Sequence, residues 1–301
     1  LKEILMDVLD FDFPLISITE NSATLELFHG PTLAFKDVGA RFMARCLGYF
    51  SQENTQEITV LVATSGDTGG AVANGFLGVE GVKVVILYPS GKVSDIQEKQ
   101  LTTLGKNISA LEVEGTFDDC QTMVKRAFLD AEITNTKQLT SANSINVARW
   151  LPQLFYFLFA FKAAKSQKKD LVFSIPSGNF GNICAGMVAQ QLGMPVKHFI
   201  AATNVNDVIP RFMQTGKYEP KPSKATISNA MDVGDPSNFI RIRQIYTNDT
   251  KKLSANLSSY SFSDAQTREA MQELYTHYGY IADPHGAVGY LGLKKYQEQH
   301  P

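Results

Sequence analysis

Apolar and polar positions along this chain follow two alternating rhythms. Short runs rich in β-branched residues, at 58–63, 82–88 and 108–113, predict strands. Each gives way to a stretch with apolar residues every three or four positions, at 70–77, 97–104 and 117–128, which predicts helices. Pro89 stops the second strand. Asp118 and Asp119 lie where a helix start favours carboxylates. The pattern then resumes with a strongly apolar helix at 150–165, a buried strand at 171–175, a helix at 182–192 and a strand at 196–202. A last helix at 264–278 opens with Ser263 and Gln266 spaced as a capping box. Pro220, Pro222 and Pro236 mark an irregular region between 216 and 238. The alternation predicts an α/β fold of two parallel-rich open sheets with helices on both faces.

Composition adds limits. The 301 residues, 44% hydrophobic and 19% charged, suffice for a large core in two domains. A net charge of -2 with no basic stripe argues against nucleic-acid or membrane-surface partners. Cys46, Cys120 and Cys184 are far apart and odd in number. They read as small core residues in a reducing compartment, not as a disulfide frame. His29, His198, His277, His285 and His300 form no pair at metal-ligand spacing, so no metal is expected. The apolar stretch 151–164 is interrupted by Pro152, Gln153 and Lys162 and is too short to span a bilayer. No signal peptide or initiator Met opens the chain, and it stops abruptly in Gln299-His300-Pro301; the expectation is a chain cut at both ends.

The candidate chemistry lies in loops. Lys36 ends the apolar turn Phe28-His29-Gly30-Pro31-Thr32-Leu33-Ala34-Phe35-Lys36-Asp37, with a helix starting behind it. Burial there favours a neutral amine able to attack a carbonyl, which makes Lys36 a candidate Schiff-base lysine; a solvated lysine at a helix start is the plain alternative. Ligands of doubly wound sheets sit beyond the carboxyl ends of strands, at helix N-termini. Two loops occupy such places. Thr64-Ser65-Gly66-Asp67-Thr68-Gly69-Gly70 offers hydroxyls and backbone N–H groups to a carboxylate, and its Asp67 suits a cofactor hydroxyl or a protonated imine. An ordinary turn with an Asp cap would look the same. Ser177-Gly178-Asn179-Phe180-Gly181-Asn182 matches neither a dinucleotide fingerprint nor a Walker loop and reads as a cradle for one phosphate monoester, or as a simple turn. In 141–149, polar and small residues lead to Arg149, the usual fork for a phosphate or carboxylate, or else a surface arginine behind a capping loop. An imine-forming lysine, a phosphate cradle and a carboxylate seat together suggest pyridoxal phosphate.

Seven segments carry a resemblance to a known family: 25–43 (LELFHGPTLAFKDVGARFM), 63–73 (ATSGDTGGAVA), 84–90 (VVILYPS), 141–149 (SANSINVAR), 175–182 (IPSGNFGN), 199–210 (FIAATNVNDVIP) and 227–233 (ISNAMDV). On these the chain resembles the threonine synthase family, pyridoxal-phosphate enzymes of fold type II, the tryptophan-synthase-β type, in their bacterial and fungal branch. The resemblance implies a carbon–oxygen lyase acting on phosphates, which converts O-phospho-L-homoserine and water to L-threonine and phosphate. It implies Lys36 as the Schiff-base lysine, with Phe35, Asp67 and residues Ser177, Gly178, Asn179, Phe180, Gly181 and Asn182 around the cofactor, Asp67 facing the ring hydroxyl. Thr64, Ser65, Gly66 and Thr68 would hold the substrate carboxylate, and Ser144, Asn146 and Arg149 would face the substrate phosphate. The expected organisation is 1–40 as part of a large domain carrying the lysine, 41–147 as a smaller mobile domain, and 148–301 as the large cofactor-binding domain, truncated at its C-terminus. A cytoplasmic monomer or homodimer is implied, as is a residue past Pro301 that meets the pyridine nitrogen. A related serine/threonine dehydratase and a non-catalytic fragment are the alternatives. His29 and His285 are left without an assigned role.

Overall fold

The β-branched runs form strands because their side chains pack on both faces of a pleated sheet. The computed structural model describes residues 1–51, 56–167 and 169–300. Two short strands, β1 (Leu15–Thr19) and β2 (Ser22–Leu25), pair antiparallel. A four-stranded parallel sheet comprises β3 (Ile58–Ala63), β4 (Val82–Pro89), β5 (Ile108–Val113) and β6 (Gln138–Ser141), in the order β5-β4-β3-β6. A three-stranded parallel sheet comprises β7 (Val172–Pro176), β8 (His198–Thr203) and β9 (Leu257–Ser261), in the order β7-β8-β9. These are the two parallel sheets expected.

The chain divides into two compact units: Leu1–Pro14 with Glu26–Gln153, and Leu15–Leu25 with Leu154–Pro301. In the first unit, period-two alternation splits β3 between two cores. Ile58, Val60 and Val62 pack with Val84, Ile86 and Phe76 on one face. Leu61 and Ala63 pack with Leu87, Cys120 and Val124 on the other. Helix Asp67–Phe76 covers the first face and helix Phe117–Leu129 the second. Phe76 is fully buried, so truncating it to alanine should cost about 3–5 kcal/mol. The segment carrying Lys36, expected with the larger domain, falls in this unit. Ala40, Met43 and Ala44 behind it are buried in the first unit's core.

In the second unit, Phe173 of β7 and Phe199 of β8 meet the ring of Phe157 at centroid distances of 5.0 and 6.2 Å. Phe157 lies in helix Leu154–Ala164. Helix Pro284–Gln299 also packs on β7 and β8. There Ser174 Oγ donates to the Gly289 carbonyl (2.6 Å), and a Cβ on Gly292 would stand 2.8 Å from that of Ala202, so glycine permits the close approach.

Several expected boundaries shift. The helix predicted at 150–165 is broken into helix Val147–Trp150, a 3₁₀ turn Leu151–Gln153 and helix Leu154–Ala164. Pro152 lacks the N–H that a continuous helix needs and sits in the break. Helix Asp264–Tyr278 begins with the expected capping box. Helix Asp95–Thr102 starts two residues earlier than predicted, on a box made by Ser94 and Gln97. Between 216 and 238 the one regular element among the described residues is the 3₁₀ turn Asn229–Met231. Among the described residues, no helix is long and apolar enough to cross a membrane. Cys46, Cys120 and Cys184 are free thiols, and burial pushes that of Cys184 up to about 12.

Candidate active site

In the first unit, the site is built around the start of helix Asp37–Phe50, where Lys36 is the N-cap residue. The turn before it is tied down by Asp37, 1% exposed, which accepts hydrogen bonds from the N–H (3.0 Å) and hydroxyl of Thr32. Burial pushes the Asp37 carboxyl up, and the two Thr32 donors oppose that push. A Cβ on Gly30 would lie 2.5 Å from Asp37 Oδ2, so the turn closes only over glycine. Buried Arg149 fixes the lysine's backbone: its Nε donates to the Ala142 carbonyl (2.6 Å) and its Nη1 to the Lys36 carbonyl (3.2 Å).

The Lys36 side chain extends from this fixed backbone to Asp67. Nζ donates to Asp67 Oδ2 at 3.1 Å and lies 5.4 Å from the centroid of the Phe35 ring. The side chain is 18% exposed and ion-paired, so the expected apolar burial is corrected: a carboxylate, not an apolar pocket, marks this lysine out. Asp67 is held in turn by Gln97, whose Nε2 donates to Oδ1 at 2.8 Å. Gln97 also closes the capping box on Ser94, so one side chain starts helix Asp95–Thr102 and orients Asp67.

The loop 64–70 runs from β3 into helix Asp67–Phe76. Thr64 is fully buried, and its hydroxyl accepts from the N–H groups of Gly66 (2.9 Å) and Gly69 (2.8 Å). Its side chain therefore shapes the loop. Gly66 has φ +134°, and a Cβ there would collide with the Gln97 amide. Ser65 and Thr68 are half-buried beside it. The N-cap Gly66 offers no side chain, and the Thr64 hydroxyl takes the Gly69 N–H of the helix's first turn.

The segment after β6 is engaged with backbone. Asn143 accepts from the Ala63 N–H (3.1 Å) and donates to the Ala63 carbonyl (2.7 Å), pinning it to the end of β3. Asn146 caps helix Val147–Trp150 through the Ala148 N–H (3.0 Å) and donates to the Ser141 carbonyl (2.9 Å). Ser144 is half-buried in the same turn.

In the second unit, Ser177 to Asn182 link β7 to helix Gly181–Gln191. The polar side chains turn inward. Ser177 donates to the Ile175 carbonyl (3.1 Å), and Asn182 donates to that of Pro176 (2.8 Å) and accepts from the Ile183 N–H (2.9 Å). Asn179 Oδ1 accepts from the N–H (2.6 Å) and hydroxyl (2.9 Å) of Ser237. Phe180 is the N-cap in left-handed conformation, φ 64°, which costs a bulky residue about 1–3 kcal/mol. Its ring is buried against Phe239, centroids 6.0 Å apart. A Cβ on Gly178 would lie 2.7 Å from the Met231 Cα. The loop thus offers backbone, and no side chain caps its helix.

Sequence reasoning passed over Gln97, Asn143 and Asp37. The spacing of Ser94 and Gln97 is a readable capping box; the other two depend on contacts that no local pattern encodes.

The description "Pyridoxal-phosphate dependent enzyme" matches residues 22–301, and the chain belongs to that family. Threonine synthases are among its relatives. The one from Buchnera aphidicola subsp. Baizongia pistaciae is 48% identical over 95% of this chain and 66% of its own length. The crystal structure of threonine synthase from Escherichia coli aligns with TM-score 0.91 at 46% identity, over 98% of this chain and 68% of that one. A pyridoxal-phosphate-bound threonine synthase from Brucella melitensis aligns with TM-score 0.91 at 34% identity, over 98% and 70%. The chain spans about two thirds of the length of the curated relatives it matches. The fold is that of the fold type II enzymes. The residues present fit the family's cofactor: a lysine amine paired with a carboxylate, and a helix start whose glycine lets backbone approach an anion.

Proposed function

We propose that this chain performs threonine synthase chemistry, converting O-phospho-L-homoserine and water to L-threonine and phosphate. The observation that carries the reading is the 3.1 Å contact between Lys36 Nζ and Asp67 Oδ2, on a loop that opens a helix with glycine at the N-cap. When bound, pyridoxal phosphate supplies the electron sink that stabilises negative charge on the substrate's Cα. Lys36 would hold the cofactor through its amine and, with that amine free, would take and return the Cα proton. Asp67, oriented by Gln97, would face the ring hydroxyl, and its carboxylate lies beside the lysine amine. Ser65 and Thr68 receive the substrate carboxylate, while Thr64, which holds the Gly66 N–H, shapes that seat together with Gly66. The loop Ser177 to Asn182 receives the cofactor phosphate through backbone beyond Ser177, whose own N–H donates to the Ala202 carbonyl, and Phe35 lines the lysine's side. Ser144 and Arg149 serve the substrate phosphate; Asn146 supports them by capping the segment. A cytoplasmic setting belongs to the same reading and agrees with three free cysteines.

Incubation of the purified chain with pyridoxal phosphate and O-phospho-L-homoserine tests it. Phosphate and threonine should appear in equal amounts, and Lys36→Ala should yield neither. Phosphate release that survives the substitution, or a wild-type chain that consumes threonine instead, would overturn the assignment.

A further inference from the structure

The sequence Asp283-Pro284-His285-Gly286 has no part in the chemistry above. Asp283 caps helix Pro284–Gln299 by accepting from the Gly286 N–H (2.8 Å), and Pro284 suits its first turn. The other carboxylate oxygen lies 2.6 Å from His285 Nδ1. On the far side of the ring, the Ala230 N–H donates to His285 Nε2 at 3.2 Å. A backbone N–H can only donate, so Nε2 carries the lone pair and the ring proton sits on Nδ1, donated to Asp283. Asp283 therefore sets the tautomer that lets His285 hold Ala230.

Ala230 and Met231 form the wall beside Gly178. A Cβ at 178 would meet the Met231 Cα at 2.7 Å and the Ala230 carbonyl oxygen at 3.1 Å. The same segment is held from its other end by a polar network. Asn204 Nδ2 donates to Asp232 Oδ1 and Thr226 Oγ1, each at 2.8 Å, and the Thr226 N–H donates to Asp232 Oδ2 at 3.0 Å. Asn204 is 1% exposed and its amide is fully engaged there, so this anchor resists movement. The wall thus has two supports, and His285 is the one at Ala230 itself.

We propose that His285, oriented by Asp283, is a positioning residue for the loop 177–182: it holds Ala230 and Met231 against Gly178 and so keeps the loop's backbone in the shape that receives a phosphate monoester. The ligand rests on the reading given under Proposed function; the wall does not.

The test uses the whole chain with His285→Ala, His285→Asn and His285→Gln. Glutamine places an acceptor near the Nε2 position, while asparagine is too short to reach Ala230. In ligand-free protein, His285→Ala and His285→Asn should speed amide exchange about tenfold at Ala230 and across 177–182, and His285→Gln should restore protection. The dissociation constant for pyridoxal phosphate should rise about tenfold in the first two variants, while that for pyridoxal, which lacks the phosphate, stays unchanged. Unchanged exchange in both His285→Ala and His285→Asn, or equal losses for both ligands, overturns the positioning role. A wild-type chain that binds the two ligands equally overturns the phosphate reading and the ligand named here, and the exchange result still decides the wall.

Discussion

The loops at 64–70 and 177–182 share one plan, a parallel strand that turns into a helix whose N-cap residue makes no side-chain cap. They use it in opposite ways. In the first, side chains face outward to do chemistry: Asp67 bonds Lys36 and is itself aimed by Gln97. In the second, Ser177, Asn179 and Asn182 spend their polar atoms on nearby backbone and leave main-chain N–H groups for a ligand. The difference follows from what each has to hold. A reacting centre needs a group that can trade protons and charge. An anchor for a fixed dianion needs only dipoles that do not move.

Substitutions can break this contrast. The largest effect is expected at Lys36: Lys36→Ala should abolish threonine formation and visible cofactor absorbance, read by product assay and spectrum. Gly178→Ala comes next. Its methyl would press into the Met231 backbone, so pyridoxal phosphate affinity should fall at least tenfold and stability by about 1–3 kcal/mol, measured by titration and denaturant unfolding. Asp67→Asn keeps the shape of the first loop but removes its charge. Turnover should fall by about two orders of magnitude, with unfolding midpoints within a degree or two of wild type. Asn179→Ala should do the reverse, losing about 1–2 kcal/mol of stability with the Ser237 bonds while the Lys36 chemistry survives saturation with cofactor. The smallest effect is a control away from both loops. Lys294 foremost, with Tyr290, holds the Glu273 carboxyl below its ordinary 4.5. A depressed folded-state value stabilises above the unfolded value, and that contribution is lost as pH falls through the folded one. The pair is part-exposed, so Glu273→Gln should cost no more than about 1 kcal/mol at neutral pH. The gap to wild type should narrow as pH falls below 4.5 and close once it passes the lowered folded value, seen in pH-dependent unfolding.

Much of this was legible in the chain. Runs rich in β-branched residues located β3, β4 and β5, although of these three only β3 is buried along its whole length, and the Gly-rich loops fell where strand gives way to helix. Lys36, Asp67 and 177–182 were named on that basis. Other features were hidden for physical reasons. β6 has only four residues and reads QLTS, too short and polar to show a period. Helix Pro284–Gln299 carries Gly289 and Gly292, which suit close packing on the sheet and blur an apolar stripe. The bond from Arg149 to the Lys36 carbonyl joins residues 113 positions apart. Such long-range polar contacts leave no local trace.

Phe180 has a consequence for how this loop can change. Its left-handed backbone and its buried ring make one commitment, since the φ of 64° starts helix Gly181–Gln191 while the ring locks onto Phe239. An inserted or deleted residue between 177 and 182 would rotate the ring out of its socket as it changed the loop's length. The cradle should therefore tolerate exchange of residues far better than any change in their number. A library of length variants here should yield unfolded chains where a library of point variants yields weakened binders.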